Sequence, residues 1–456
     1  MYYQHAEDTI AAPATPQGMG AIAVIRVSGS QALSIVNRLF PTKDLTQVPS
    51  HTLHVGKIIW KNQWLDEVVV SVFKAPRSYT GEDVVEISSH GSPVIVQRIL
   101  QALTEAGARM ALPGEFTLRA FLHGKMDLTQ AEAVADLIAA ESEAAVQNAL
   151  RHIRGGFSAE LQQLRNQLLQ FASLIELELD FSEEDVEFAD RQALKQLLNA
   201  IDQRVLQLLQ SYTWGNVVKH GFQVVIAGKP NVGKSTLLNA LLNENRAIVS
   251  DIPGTTRDTV EELIQLNGLL FRLIDTAGLR VSEDVVEQIG VARTHEKILQ
   301  ADMILYLFDI TQITQSEWEQ ALTWLQELRK PYLILLNKTD LSSTLPEFVK
   351  PNQQIMLISA QQRLHLQELK DRLVEMAQQS RVQGEGSIIT NARHYAALQK
   401  VKQGIQDIYL GLEQHISSDL LANDIRKCLH DLGEITGEVT TEDILDYIFS
   451  HFCIGK

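Results

Sequence analysis

Eight residues in the middle of the chain, Gly228-Lys-Pro-Asn-Val-Gly-Lys-Ser235, constrain the fold more than any other segment. They lie between an apolar run, Phe222 to Ala227, and a helical pattern, Thr236 to Leu242. The spacing predicts a strand, a glycine-rich loop and a helix in direct succession. Such a loop wraps a phosphate in backbone N–H groups, and its glycines let the backbone come that close. Lys234 then supplies charge for a terminal phosphate, and Ser235 a hydroxyl for magnesium. Asp275-Thr-Ala-Gly278 and Asn337-Lys-Thr-Asp340 follow in order and argue against a chance match. Asp275 ends an apolar run from Leu269 to Ile274, which puts its carboxylate beside a magnesium-bound water and the terminal phosphate. Asp340 selects the base: a carboxylate accepts from both the ring N–H and the exocyclic amine of guanine, whereas adenine would leave it unpaired. A guanine-nucleotide site is expected, built from Asn231, Val232, Gly233, Lys234, Ser235 and Thr236, from Asp275, Thr276, Ala277 and Gly278, and from Asn337, Lys338 and Asp340.

Further strand candidates at 302–309, 332–336 and 354–358 alternate with helical segments, the pattern of a doubly wound parallel sheet. Upstream, the runs Ala21–Val27, His54–Trp60, Glu67–Phe73 and Asp83–Ser88, broken by turn residues, predict a small mixed sheet, with a helix from Pro93 to Leu103. The period then lengthens. Leu161, Leu164, Leu168, Phe171 and Ile175 recur at helical steps, a similar stripe runs from Leu194 to Leu209, and a break falls near 211–221. Gln383 to Ser387 reads as a linker, after which Leu398, Val401, Ile405, Ile408 and Leu412, then Leu421, Ile425, Cys428 and Leu432, resume helical spacing. The expected architecture is multidomain α/β. It comprises a mixed α+β N-terminal domain (1–120), a discontinuous all-α domain (121–215 and 381–456), and an inserted Ras-like P-loop domain with a mostly parallel, doubly wound sheet (216–380).

Charge and composition exclude several functions. The 456 residues carry a formal charge of −16, so any RNA contact needs a local basic patch or a basic partner. Two cysteines, Cys428 and Cys453, are a poor basis for a disulfide framework and fit a reducing compartment. No apolar stretch reaches membrane-spanning length, and Met1 to Asp8 lacks a basic region followed by an apolar core. The expectation is a soluble, unprocessed, cytoplasmic protein without membrane contact. The acidic stretch Glu176 to Asp190 reads as a solvated helix end rather than a metal site.

Three further features narrow the reading: the insertion pattern, Gly254-Thr-Thr-Arg-Asp258 in the first switch, and the ending Phe452-Cys-Ile-Gly-Lys456. With Arg26-Val-Ser-Gly29, Ser78-Tyr-Thr-Gly-Glu-Asp83, Gly114-Glu-Phe-Thr-Leu-Arg-Ala120 and Lys125-Met-Asp-Leu-Thr-Gln-Ala131, the chain resembles the MnmE (TrmE) family of tRNA-modification GTPases essentially end to end. The resemblance implies a GTPase that works with the flavoprotein MnmG (GidA), which carries FAD and uses NADH. Together they add an aminomethyl or carboxymethylaminomethyl group to carbon five of the wobble uridine in certain tRNAs. It also implies 5-formyltetrahydrofolate or a related reduced folate, and a homodimer formed through the N-terminal domain.

The resemblance assigns roles to particular residues. Leu279 follows Gly278 where Ras-like enzymes place a water-orienting glutamine; Glu287 is then implied as the group acting through a bridging water, although alone it reads as a surface carboxylate. Potassium is implied in place of an arginine finger, bound by Asn231, Ser250, Ile252 and Thr255, with Thr256 joining Ser235 on magnesium. The GTP set extends to Asp251, Pro253, Gly254, Ser359 and Ala360. Arg26, Glu86, Lys125 and Lys456 are nominated for folate, though Arg26 and Lys125 taken singly read as ordinary surface charges. Cys453 is either a catalytic thiol or a packed cysteine; it fits a prenylation signal badly. Rival readings are a regulatory or ribosome-assembly GTPase, which would carry a basic RNA-binding appendage, and a dynamin-type GTPase, which would carry a basic amphipathic helix.

Overall fold

The computed structural model describes residues 8–180, 191–245, 261–275, 297–342, 344–350, 352, 354–379, 387–414 and 416–456. The chain divides into two compact units, one formed by Met1–Ile138, Ala149–Asp202 and Ala396–Lys456, the other by Ala139–Asn148 and Gln203–Tyr395.

The first unit opens on a six-stranded mixed sheet. Its strands are β1 (Ile10–Pro13), β2 (Ile22–Ser28), β3 (Thr52–Trp60), β4 (Gln63–Phe73), β5 (Val84–His90) and β6 (Arg109–Met110), in the order β3-β4-β5-β2-β1-β6. All pairs are antiparallel except β1 with β6. The predicted apolar runs become β2 to β5. Ile25, Val27, Val68, Val70, Val72, Val85 and Ile87 alternate onto one face and form a core with α1 (Ala32–Leu39) and α2 (Pro93–Glu105). Pro93 starts α2 where its missing N–H costs nothing. Helices α3 (Glu115–Leu122), α4 (Leu128–Ile138), α5 (Glu143–Ile153), α6 (Gly156–Asp180) and α7 (Arg191–His220) follow, residues 143–148 of α5 and 203–220 of α7 belonging to the second unit.

In the second unit the strands are β7 (Phe222–Gly228), β8 (Glu261–Leu266), β9 (Leu269–Asp275), β10 (Met303–Asp309), β11 (Tyr332–Asn337) and β12 (Ile355–Leu357), in the order β12-β11-β10-β7-β9-β8. Only β8 runs antiparallel, as the hairpin partner of β9. The central strands are buried on both faces, as parallel strands covered by helices must be. One core lies under α8 (Lys234–Asn245) and the end of α7, and a second under α9 (Gln315–Glu327). Helix α7 is continuous through 211–220, so the strand pattern begins directly at its end.

Beyond α10 (Leu366–Gln378) come α11 (Ala392–Glu413), α12 (Ser418–Thr436) and α13 (Glu442–Ser450). Helix α12 packs along α6, so segments before and after the nucleotide-type sheet share one helical layer, as a discontinuous all-α domain requires. Phe171 of α6, Ile405 of α11 and Cys428 of α12 are all buried. Among the described residues, no helix is long and apolar enough to cross a membrane.

Candidate functional site

In the parallel sheet, Gly228 ends β7, Asp275 ends β9, Asp309 ends β10 and Asn337 ends β11, while Ser359 follows β12. All lie at the carboxyl ends of parallel strands, where open α/β sheets bind ligands, and chain order reverses at β7 between β9 and β10. The loop after β7 is tightly held. Lys234 is buried, and its Nζ donates to the Gly228 carbonyl at 2.8 Å and the Lys229 carbonyl at 2.7 Å. Gly233 has φ 103°, and a Cβ there would come within 2.2 Å of Asn337 Nδ2. Glycine is required because Asn337 must pass so close: it donates to the Val232 carbonyl at 2.8 Å and accepts from the Ala360 N–H at 2.9 Å. Asn231 is exposed with φ 65°, a conformation asparagine tolerates better than most side chains. Ser235 Oγ donates to Asp275 Oδ2 at 3.1 Å, so a hydroxyl and a carboxylate face one another at the start of α8.

The Asp340 side of the cluster is built from β11 and the turn after β12. Ser359, wholly buried, donates to Asp340 Oδ1 at 2.5 Å and fixes one oxygen of an exposed carboxylate. Lys338 donates to Asp309 Oδ2 at 2.6 Å. Burial works to raise Asp309, but hydrogen bonds from Lys338 and Thr311 prevail and hold it below the ordinary carboxylate range. Sequence reasoning did not single out Asp309, which closes an apolar run without a motif of its own. The structure brings Asn231, Val232, Gly233, Lys234, Ser235, Asp275, Asn337, Lys338, Asp340, Ser359 and Ala360 to this end of the sheet. Ser250, Asp251, Ile252, Pro253, Gly254, Thr255, Thr256, Thr276, Ala277, Gly278 and Glu287 lie outside the described residues.

A separate cluster forms in the first unit. Arg26 on β2 and Glu86 on β5 are cross-strand partners, joined from Arg26 Nε at 2.9 Å and Nη2 at 2.8 Å. The end of the chain comes to this pair: Arg26 Nη1 lies 3.5 Å from the Gly455 carbonyl, and Gly114 N–H donates to the Cys453 carbonyl at 3.4 Å. Gly455 has φ 94°, and a Cβ there would meet the Pro13 carbonyl oxygen at 2.1 Å, so any side chain would push the terminus off β1. Burial, then the nearby Arg26 charge, lowers the Lys456 pKa below the usual lysine value. Cys453 is exposed and Cys428 is buried. Lys125 is anchored differently, donating to the Pro76 carbonyl at 3.0 Å. Tyr79, unassigned by sequence reasoning although it sits inside the Ser78–Asp83 motif, has Arg26 Cζ 5.1 Å and Lys456 Nζ 5.9 Å from its ring centroid.

Both family models and full-length relatives match this chain. Residues 9–125 match the family described as GTP-binding protein TrmE N-terminus, and residues 128–453 match the MnmE helical domain. The tRNA modification GTPase MnmE of Cytophaga hutchinsonii is 51% identical over 450 residues, covering 98% of each chain. That of Flavobacterium johnsoniae is 52% identical over 464 residues, covering 99% of each. Among solved structures, a point variant of Aquifex aeolicus Era bound to GDP.AlF4- is 28% identical with a TM-score of 0.28, covering 40% of this chain and 66% of that one. With the glycine-rich loop and both family regions in one polypeptide, the chain belongs to the MnmE family of tRNA modification GTPases.

Proposed function

We propose that the protein is the GTP-hydrolysing subunit of a cytoplasmic wobble-uridine modification system. In this reading it acts as a homodimer with the flavoprotein MnmG, which carries FAD and uses NADH. The product is an aminomethyl or carboxymethylaminomethyl group on carbon five of uridine in certain tRNAs. The domain boundaries proposed are those expected from the sequence: 1–120 for folate binding and dimerisation, 121–215 and 381–456 for the helical domain, and 216–380 for the GTPase domain. The observation that carries the nucleotide reading is the exposed Asp340 carboxylate held by Ser359 at the strand ends that also present the phosphate loop.

Asp340 accepts the two donors of guanine, and Lys234 exchanges its bonds to loop carbonyls for terminal phosphate oxygens. Ser235 and Thr256 would hold magnesium, which would neutralise phosphate charge, and the Asp275 carboxylate, 3.1 Å from Ser235 Oγ, stands beside that hydroxyl to accept from a water. Asn231, Ser250, Ile252 and Thr255 would hold potassium, which would supply positive charge where negative charge develops between the phosphates. Glu287 orients the attacking water when two GTPase domains meet. Two measurements test this. Hydrolysis is expected to be several-fold or more faster in potassium than in sodium, and equal rates reject the cation site. Glu287→Ala is expected to lower turnover with GTP affinity retained, and a collapse in affinity assigns it a structural role instead.

Arg26, Glu86 and Lys456 are proposed to bind reduced folate such as 5-formyltetrahydrofolate, with Lys125 as the fourth residue. The donor set fits. Glu86 can accept from a pterin amine and ring N–H, while the two cations suit carbonyls or a glutamate tail. The exposed Cys453 thiol, near that end of the chain, is the candidate for covalent chemistry. Wobble-uridine mass spectrometry of tRNA from cells lacking the protein is expected to show the modification lost. Unchanged uridine returns the protein to the class of regulatory GTPases.

A further inference from the structure

Two cations beside one shared ring need explaining, because Arg26 and Lys456 repel each other and both draw on the single Glu86 carboxylate; Arg26 also lies 5.7 Å from the Phe116 ring, so Tyr79 is the ring the two have in common. The ring between them is unusually well fixed. Tyr79 Oη hydrogen-bonds Thr117 Oγ1 at 2.9 Å, and its ring packs against the buried Ile10, Ala12, Ala111 and Phe116. The neighbouring loop is locked as well: the Thr80 hydroxyl bonds Ser28 Oγ at 2.7 Å, the Thr80 carbonyl meets His123 Nδ1 at 2.8 Å, and Glu82 pairs with the buried Arg119 at 3.1 Å. None of these bonds is needed to continue β4 or β5; they hold Tyr79 in one place. A ring face within about 6 Å of an ammonium or guanidinium attracts it through the ring quadrupole.

We infer that Tyr79 is a positioning residue, a fixed aromatic platform that holds the Arg26 guanidinium and the Lys456 ammonium side by side, so that docking of the C-terminal residues completes a cationic site for the anionic or carbonyl groups of a reduced folate. This rests on the folate reading above and extends it to a residue outside the nominated set. The platform supplies no proton and breaks no bond. Its contribution is to offset the repulsion between two cations before a ligand arrives, which is preorganisation.

The test uses the full-length protein, with Tyr79→Phe, Tyr79→Trp and Tyr79→Leu. Titration with 5-formyltetrahydrofolate is expected to show affinity within about twofold of the parent for Phe, recovered affinity for Trp, and a loss of about tenfold for Leu, which keeps apolar bulk but has no ring. Equal loss in Phe and Leu would mean that the Thr117 bond matters rather than the ring, and no loss in Leu would mean that neither does; both overturn the proposal. A second readout needs no folate. After reductive 13C-methylation, the Lys456 methyl resonance, assigned with Lys456→Arg, is expected to be displaced by the ring current in the parent and in Tyr79→Phe and to return to the ordinary lysine position in Tyr79→Leu. An undisplaced parent resonance overturns the platform whatever folate does. If the resonance behaves as expected but the parent binds no reduced folate, the folate reading fails and the ligand assignment falls with it.

Discussion

At Gly233 one absent Cβ decides whether the loop after β7 and the end of β11 can pack together, since the Asn337 amide occupies the space a side chain would need. Gly233→Ala is expected to strain the loop by about 1–3 kcal/mol and to weaken GTP binding accordingly, as equilibrium titration would show. Ser359→Ala removes the donor that orients Asp340. A hydrogen bond to a charged group is worth about 1.5 kcal/mol or more, so GTP affinity should fall about tenfold, and thermal stability should fall as well because the Gln362 N–H also loses its acceptor. Asp309 carries a pH signature. Its folded pKa is depressed by the Lys338 and Thr311 bonds, so its contribution to stability is complete above the unfolded aspartate value of about 3.9 and is lost as pH falls through the lower folded value. Asp309→Asn should flatten that acid limb in denaturation curves recorded below about pH 4. The motif residues were legible because their chemistry demands fixed local spacing. Asp309 and Tyr79 were not, because their partners lie far along the chain: Lys338 for one, Arg26 and Lys456 for the other.

Elements were legible where periodicity ran long enough to be a signal. The stripes of α6, α11 and α12 are buried as their spacing predicts, and β7, β9, β10, β11 and β12 fall on the expected runs. β1, β6 and β8 were not anticipated. β1 and β6 are too short to show alternation, and β8, Glu-Glu-Leu-Ile-Gln-Leu, is an edge strand with polar residues on its open side. β1 and β6 form because a neighbour already presents unpaired backbone groups, which is a tertiary cause, whereas β8 had a local signal in the Asn267-Gly268 turn that joins it to β9. Helix ends are more local. Thr314 accepts from the Glu317 N–H and Glu317 returns a bond to the Thr314 N–H, a capping box that starts α9. Thr314→Ala is expected to destabilise the nucleotide-binding unit by about 1 kcal/mol in urea denaturation, without altering GTP affinity.

The two units carry separate cores: α8, α9 and α10 cover the parallel sheet, while α1 and α2 cover the mixed one. Calorimetry is therefore expected to resolve two transitions. A non-hydrolysable GTP analogue at about a hundred times its Kd should stabilise one of them by about 2.7 kcal/mol and leave the other in place; a single transition that moves as a whole would contradict separate cores. The sequence by itself determined the family, the GTPase class, the α/β architecture and the interruption of the helical domain, because phosphate and guanine recognition and apolar periodicity leave local patterns that survive without coordinates. The tertiary structure alone decided what surrounds those patterns: Ser359 beneath Asp340, Asn337 against Gly233, and residues 455 and 456 brought against β1, Arg26 and Tyr79. Those contacts join residues tens to hundreds of positions apart, and only the packed chain makes them neighbours.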